Sequence, residues 1–243
     1  MGNIAGKIEE LEERITAACL RSGRKRGDIE VMGVTKFQSL KAAEEALKAG
    51  IRLFGESRVQ EAVEKFSPHD NISPSGIFST PETRKKGGIE LHLIGPLQRN
   101  KAKKAAGFFD CIQSADRDSL IEELGLLTRG REKPLMILLE VLTGEENKAG
   151  FRSRDELYRA AERALSFPGI KPAGLMTIAP NTRDEALLRR AFRELHRARE
   201  ELKKRFLGDW PCLSMGMTGD FEIAIEEGST MIRIGSAIFG EQT

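Results

Sequence analysis

The sequence predicts an α/β fold, a single (β/α)8 barrel of the TIM type preceded by an N-terminal helix, and three observations carry that prediction. Short apolar runs alternate with amphipathic helical stretches along the whole chain, the pattern of a parallel sheet covered by helices. The repeat occurs eight times within 243 residues, close to the roughly 250 residues of one closed barrel. No Gly-x-Gly-x-x-Gly follows the first strand, which counts against an open dinucleotide-binding sheet, the alternative topology.

The elements follow in order. Ile4 to Leu20 reads as the opening helix, with Ile8, Leu11 and Ile15 on one stripe. Strands are expected at Val31–Lys36, Ile51–Phe54, Leu91–Ile94, Cys111–Gln113, Leu135–Val141, Ala173–Met176, Cys212–Ser214 and Met231–Ile234. Helices separate them at Ser39–Ala49, Arg58–Phe66, Asn100–Phe108, Asp116–Thr128, Arg154–Ser166, Arg183–Phe206 and Gly219–Glu227. Gly50, Gly107, Gly208 and Gly228 sit near helix ends, where C-caps favour glycine. Residues 1–243 therefore read as one domain. Ser67 to Gly88 breaks the rhythm: it is rich in Pro, Ser, Gly and Lys without periodicity, and is expected as a surface-loop insertion. A lid over the site is the alternative reading of that loop.

Composition narrows the function classes. Lys plus Arg exceed Asp plus Glu by only two, too little excess to point to nucleic acid. The N-terminus turns charged at once, and the longest apolar run, Leu135 to Leu142, is interrupted by Glu140. Neither a signal peptide nor a membrane span is expected. Cys19, Cys111 and Cys212 are far apart and odd in number, as for reduced thiols of a cytoplasmic protein. His69, His92 and His196 lack metal-ligand spacing, so no metal site is expected, and His92 reads as a packed or hydrogen-bonded histidine. The basic run Asn100–Lys104 and the Arg189–Arg205 stretch read as solvated helix faces.

Two signals carry chemistry. Lys36 closes the first strand, where desolvation would lower its pKa and expose the neutral amine that condenses with aldehydes. At the other end, Ser214-Met215-Gly216-Met217-Thr218 follows strand seven, and Arg233-Ile234-Gly235-Ser236-Ala237 leads from strand eight into a short helix. Barrels often bind phosphate between these two loops. Glycines would admit phosphate oxygens to the backbone, and Ser214 and Ser236 would add hydroxyls. Ordinary turn glycines are the alternative. A lysine paired with a phosphate cup is what pyridoxal 5′-phosphate (PLP) requires. Arg233, if it faces the barrel mouth, can donate to the pyridine nitrogen without sharing a proton. The ring would then be a poor electron sink. A surface arginine paired with Glu226 or Glu227 is the competing reading.

Val34-Thr35-Lys36, Phe54-Gly55-Glu56-Ser57-Arg58-Val59-Gln60-Glu61, the stretch from Leu91 to Lys101, Gly174-Leu175-Met176, Leu213 to Met217 and Arg233 to Gly240 together resemble the PLP homeostasis protein family. The motifs are collinear over nearly the whole chain. The resemblance implies one alanine-racemase-like barrel (the fold of the racemases' N-terminal domain) with PLP held on Lys36 as an aldimine. It further implies phosphate contacts from Ser214, Gly216, Gly235 and Ser236, and Arg233 at the pyridine nitrogen. Ser57 and Leu142 stand where the family usually has asparagine, with Ser57 close to the cofactor, and Ser236 stands where it usually has threonine.

Three functions compete. A non-catalytic PLP carrier in intracellular homeostasis, passing PLP to apo-enzymes, is the first. It is expected to be cytoplasmic and a monomer or weak homodimer. A PLP-dependent amino-acid racemase is the second; it needs a base on each face of the cofactor, yet the one tyrosine, Tyr158, falls mid-way along an outer helix. A cofactor-free barrel enzyme acting on phosphorylated metabolites, with Lys36 as catalytic amine, is the third.

Overall fold

Strands whose two faces are both buried read as near-continuous apolar runs, and each such run here forms one stave of a barrel. The computed structural model describes residues 3–67, 76, 78–144, 149–206 and 208–240. The strands are β1 (Glu30–Val34), β2 (Leu53–Glu56), β3 (Glu90–Leu93), β4 (Cys111–Ala115), β5 (Leu135–Glu140), β6 (Ile170–Met176), β7 (Cys212–Met217) and β8 (Met231–Ile234). They run parallel in chain order, and β8 pairs with β1 to close the barrel.

Around it lie α1 (Ile4–Arg21), α2 (Leu40–Lys48), α3 (Val59–Phe66), α4 (Pro81–Lys86), α5 (Ala102–Phe108), α6 (Asp118–Leu127), α7 (Arg154–Leu165), α8 (Glu185–Arg205), α9 (Phe221–Glu226) and α10 (Ser236–Phe239). Start signals in the sequence work as their chemistry requires. Ser39 and Ser153 accept backbone N–H bonds at the starts of α2 and α7, and Asp184 accepts two at the start of α8. Outward strand residues such as Phe54, Leu91, Ile137, Leu213 and Ile232 pack under the helices. Residues of the opposite parity fill the axis in two smaller clusters, Met32, Val34, Leu53 and Met231 and then Cys111, Leu138, Ala173 and Met176. No helix among the described residues is long and apolar enough to cross a membrane.

Several boundaries differ from expectation. β1 stops at Val34, so Lys36 lies two residues beyond the strand. β2 starts later than Ile51, because Gly50 at φ 104° and the Ile51 N–H bond to Ala46 still belong to the end of α2. β6 begins earlier, at Ile170, and absorbs Pro172 beside a register shift against β5; proline has no N–H for the ladder. Gly107 lies inside α5, whereas Gly50 and Gly228, both at positive φ, do end helices.

The largest correction concerns Ser67 to Gly88. Residues 68–75 and 77, with His69 among them, lie outside the described residues. The remainder is not a bare surface loop. Thr80 and Thr83 form a capping box around Pro81 and start α4. Phe78 is buried against Phe54 and Phe66, with ring centroids 5.0 Å away in each case. Arg84 is fully buried and donates to Asp110 Oδ2 at 2.8 Å, the Phe78 carbonyl at 2.9 Å and the Phe108 carbonyl at 2.5 Å. One aromatic and one arginine anchor this segment, and neither produces a periodic pattern.

Candidate functional site

The C-terminal ends of the strands open onto a cavity of about 570 Å³, within the ordinary range of small-molecule sites. Lys36, Ser57, Arg233, Gly235 and Ser236 all line it, together with Gly95, Met217, Thr218 and Gly219. Lys36 sits in the turn that follows β1, closed by the Gln38 N–H on the Thr35 carbonyl at 2.9 Å, and its side chain is exposed at the mouth. The burial expected from a strand-end position is not found. Leu142 does not line the cavity; its N–H bonds the Phe151 carbonyl at 3.0 Å.

Two of the residues expected at the phosphate, Ser214 and Gly216, do not themselves line the cavity. Ser214 is fully buried within β7, below the cavity. Its hydroxyl donates to Gln113 Oε1 at 2.6 Å and accepts from Arg233 Nη1 at 2.7 Å. Gly216 has φ 97° and marks a bulge, because the β7–β8 register shifts between Ser214 and Met217. A side chain there would strike Ala224 Cβ at 2.6 Å. The bulge turns Met217 and Thr218 toward the mouth, which is its usual effect on a strand end. Asp220 then holds that loop: its Oδ1 accepts from the Met217 N–H at 2.5 Å, and its own N–H donates to the Met217 carbonyl.

Arg233 is 4% exposed and projects into the barrel. Its Nη2 donates to the Thr177 carbonyl at 2.8 Å. Glu226 and Glu227, the surface partners considered above, pair instead with Arg21, Arg189 and Arg193. Burial pushes the Arg233 pKa down, opposed by Asp220 and Glu140, but arginine starts so high that it stays charged. Burial also raises Asp220, with the Met217 N–H bond and Arg233 opposing. Glu140, at the end of β5, is pushed up to about 7 by burial and by Asp116, against the pull of Arg233.

Below Arg233, a chain of hydrogen bonds runs down the barrel axis. Gln113 Nε2 donates to His92 Nδ1 at 2.9 Å, which leaves the His92 proton on Nε2, facing Glu90 Oε2 at 2.9 Å. That bond holds the Glu90 carboxyl below the usual range despite its partial burial. Gln113 Oε1 thus accepts from Ser214, and Ser214 must accept from Arg233. The direction of every bond in the chain follows from the first. His92 is the hydrogen-bonded core histidine that its place in a strand suggests.

Gly95 was not singled out from the sequence. A Cβ there would lie 2.2 Å from the Ser57 carbonyl oxygen, so the β3 loop and the β2 end touch only because it is glycine. Thr218 and Gly219 were likewise unassigned, and a hydroxyl directly followed by glycine in the loop after strand seven was the available signal. The donor set at the mouth is an amine, a buried guanidinium, and hydroxyls with glycine backbone. That set suits an aldehyde, a ring acceptor and a phosphate respectively. Only Val34 atoms lie within 4 Å of a Cβ built on Gly235, at 3.8 Å, which leaves room for an anion against its backbone.

Residues 11–243 match the family model described as "Alanine racemase, N-terminal domain". A pyridoxal phosphate homeostasis protein of Aquifex aeolicus is 35% identical over 240 residues, covering 99% of both chains. Its counterpart in Vibrio cholerae is 35% identical over 243 residues, covering all of this chain and 98% of its own. Among solved structures, PipY of Synechococcus elongatus with PLP bound superposes with a TM-score of 0.76 at 31% identity, covering 94% of this chain and 99% of that one. The collinear motifs, the closed barrel and these full-length matches agree, and the chain belongs to the pyridoxal phosphate homeostasis protein family, built on the alanine racemase N-terminal domain.

Proposed function

We propose that this protein is a non-catalytic, cytoplasmic carrier of pyridoxal 5′-phosphate that binds the cofactor on Lys36 through a Schiff base and hands it to apo-enzymes. The observation that carries this reading is the convergence of Lys36, Arg233, Gly235 and Ser236 on one cavity at the barrel mouth. The names of the relatives and the PLP-bound state of PipY support the choice of cofactor. Bound there, the cofactor supplies an aldehyde that reacts with an amine. Lys36 would be the amine that meets this aldehyde, since it is the lysine that lines the cavity.

The chain's own residues do the rest. Gly235, Ser236 and Thr218 hold the phosphate through backbone N–H groups and hydroxyls, charge-assisted bonds of the stronger kind. Ser57 meets the polar edge of the ring. Arg233 donates to the ring nitrogen and, staying charged, leaves that nitrogen unprotonated. Ser214 orients Arg233 from below, and Gly216 shapes the bulge that presents Thr218.

Absence of turnover is supported by Tyr158. It sits on α7 and donates to Glu201 of α8 at 2.9 Å, in the outer helix layer, and supplies no second base at the mouth. Exposure of Lys36 supports release to another protein, and three free thiols support a reducing cytoplasm. The working state is a monomer or weak homodimer.

The test is an absorbance spectrum of the purified protein with PLP, borohydride reduction, and peptide mapping. A visible imine band and a label on the Lys36 peptide are expected; a label mainly on another lysine overturns the assignment. Incubation with L-alanine and L-serine in deuterated water should leave their α-protons in place. Many turnovers of α-deuterium incorporation per site would establish the racemase reading instead.

A further inference from the structure

Lys36 is flanked by two residues held unusually firmly. Thr35 is fully buried; its hydroxyl donates to Glu56 Oε1 at 2.7 Å, and its carbonyl accepts from Lys65 Nζ at 2.6 Å. Phe37 adopts φ 60°, a conformation that a bulky side chain rarely takes. Its N–H donates to Glu61 Oε1 at 2.5 Å, and the Arg58 guanidinium lies 5.4 Å from its ring centroid. Lys65 joins the two anchors, reaching Glu56 Oε1 at 2.8 Å and Glu61 Oε1 at 3.4 Å.

This cluster lies outside the barrel wall, between β2 and α3, on the face opposite to the cavity. A turn explains why: the Gln38 N–H donates to the Thr35 carbonyl at 2.9 Å, which makes Lys36 and Phe37 its two middle residues, with Lys36 at the cavity and the Phe37 N–H on α3. The ion pair is deeply placed, with 9% of the Lys65 side chain and none of the Glu56 side chain exposed. Among the described residues, Glu56 Oε2 is buried without a hydrogen-bond partner. A buried carboxylate left half satisfied is costly, and a helical lysine could reach solvent at far lower cost. Strain of this kind at Phe37 persists only where the surroundings over-determine it, and it gathers at functional sites.

We propose that Lys65, with Glu56 and Glu61, forms a positioning cluster that locks the Thr35–Phe37 segment and so aims the Lys36 amine at the cofactor aldehyde. This inference rests on the assignment of Lys36 above. Glu56, Glu61 and Lys65 do not line the cavity, and the cluster acts through the backbone on either side of Lys36. It therefore favours covalent attachment and leaves the phosphate and ring contacts untouched.

Two ligands separate those effects: PLP, and pyridoxine 5′-phosphate, which has the same phosphate and ring but no aldehyde. Wild-type protein is first reduced and mapped; a label away from Lys36 defeats the assignment itself, independently of the cluster. With Lys36 labelled, Lys65→Met and Glu61→Ala are titrated with both ligands. Expected are a fall of about tenfold or more in PLP affinity and a weakened imine band, since displacement of a reacting group is costly, with pyridoxine 5′-phosphate binding unchanged. Should Lys65→Met fail to fold, Glu56→Gln/Lys65→Met leaves no buried charge unpaired and takes its place. Equal losses for both ligands would reduce the cluster to a general structural role, and unchanged PLP binding in Glu61→Ala and the Lys65 variant would also overturn the proposal.

Discussion

Glutamine in place of Glu140 should change the pH dependence of stability, and the structure sets both sign and size. Glu140 is 6% exposed at the end of β5, where burial and Asp116 raise its pKa from an ordinary 4.5 to about 7, and Arg233 opposes them. Between those two values the folded protein holds a proton that the unfolded chain has released. Stability from this group is therefore fully present below about pH 4.5 and declines as pH rises through 7. The rise corresponds to a cost on the order of 3 kcal/mol for holding the carboxylate at pH 8. Glu140→Gln removes that dependence, because an amide does not titrate. In urea melts, the difference between variant and wild type should shift in favour of the variant by up to about 3 kcal/mol from pH 5 to pH 8. In thermal melts of a protein this size, that is roughly 6–12 °C. The attraction of Arg233 is already contained in the value near 7, so it takes nothing further from the pH-dependent difference and shifts only its pH-independent offset. A difference that is flat across pH 5 to 8, or one that moves against the variant, would refute the reasoning.

Arg84→Met should cost about 3–5 kcal/mol, because it strips the cation from buried partners at Asp110 and two carbonyls; urea denaturation measures it, and a loss below about 1 kcal/mol would mean the segment does not anchor the fold. Ser236→Ala should reduce the preference for PLP over unphosphorylated pyridoxal by the worth of one charge-assisted bond, about 1.5–3 kcal/mol. Ser214→Ala, acting through Arg233, should weaken both ligands alike, which comparative titration reads directly. Gly95→Ala places a carbon 2.2 Å from the Ser57 carbonyl oxygen; cofactor affinity should fall, and stability should drop by about 1–3 kcal/mol, as a paired titration and melt would report.

The barrel was legible because local chemistry and burial agree along the chain. Eight apolar runs could be placed to within a few residues, since a strand enclosed on both faces cannot carry polar residues freely. Ser39, Ser153 and Asp184 announce helices by satisfying amides within their own first turn. The convergence of Lys36, Arg233, Gly235 and Ser236 followed from their places at strand ends, because a closed parallel barrel gathers all those ends at one mouth.

Tertiary structure alone decided the remainder. Ser214 and Gly216 are expected from the sequence beside the phosphate, and the register shift against β8 is what puts one beneath Arg233 and the other in a bulge. A bulge depends on which residue of the neighbouring strand lies opposite, and no local pattern encodes that. Phe78 and Arg84 join the core through partners 24 and 26 residues away along the chain or on other elements, so the segment read as a loop. Gly95 matters only because β2 ends against it. Residue type and period establish which segments are buried and where they end. Which buried groups meet, and therefore what each one does, is settled only when distant strands are brought into register.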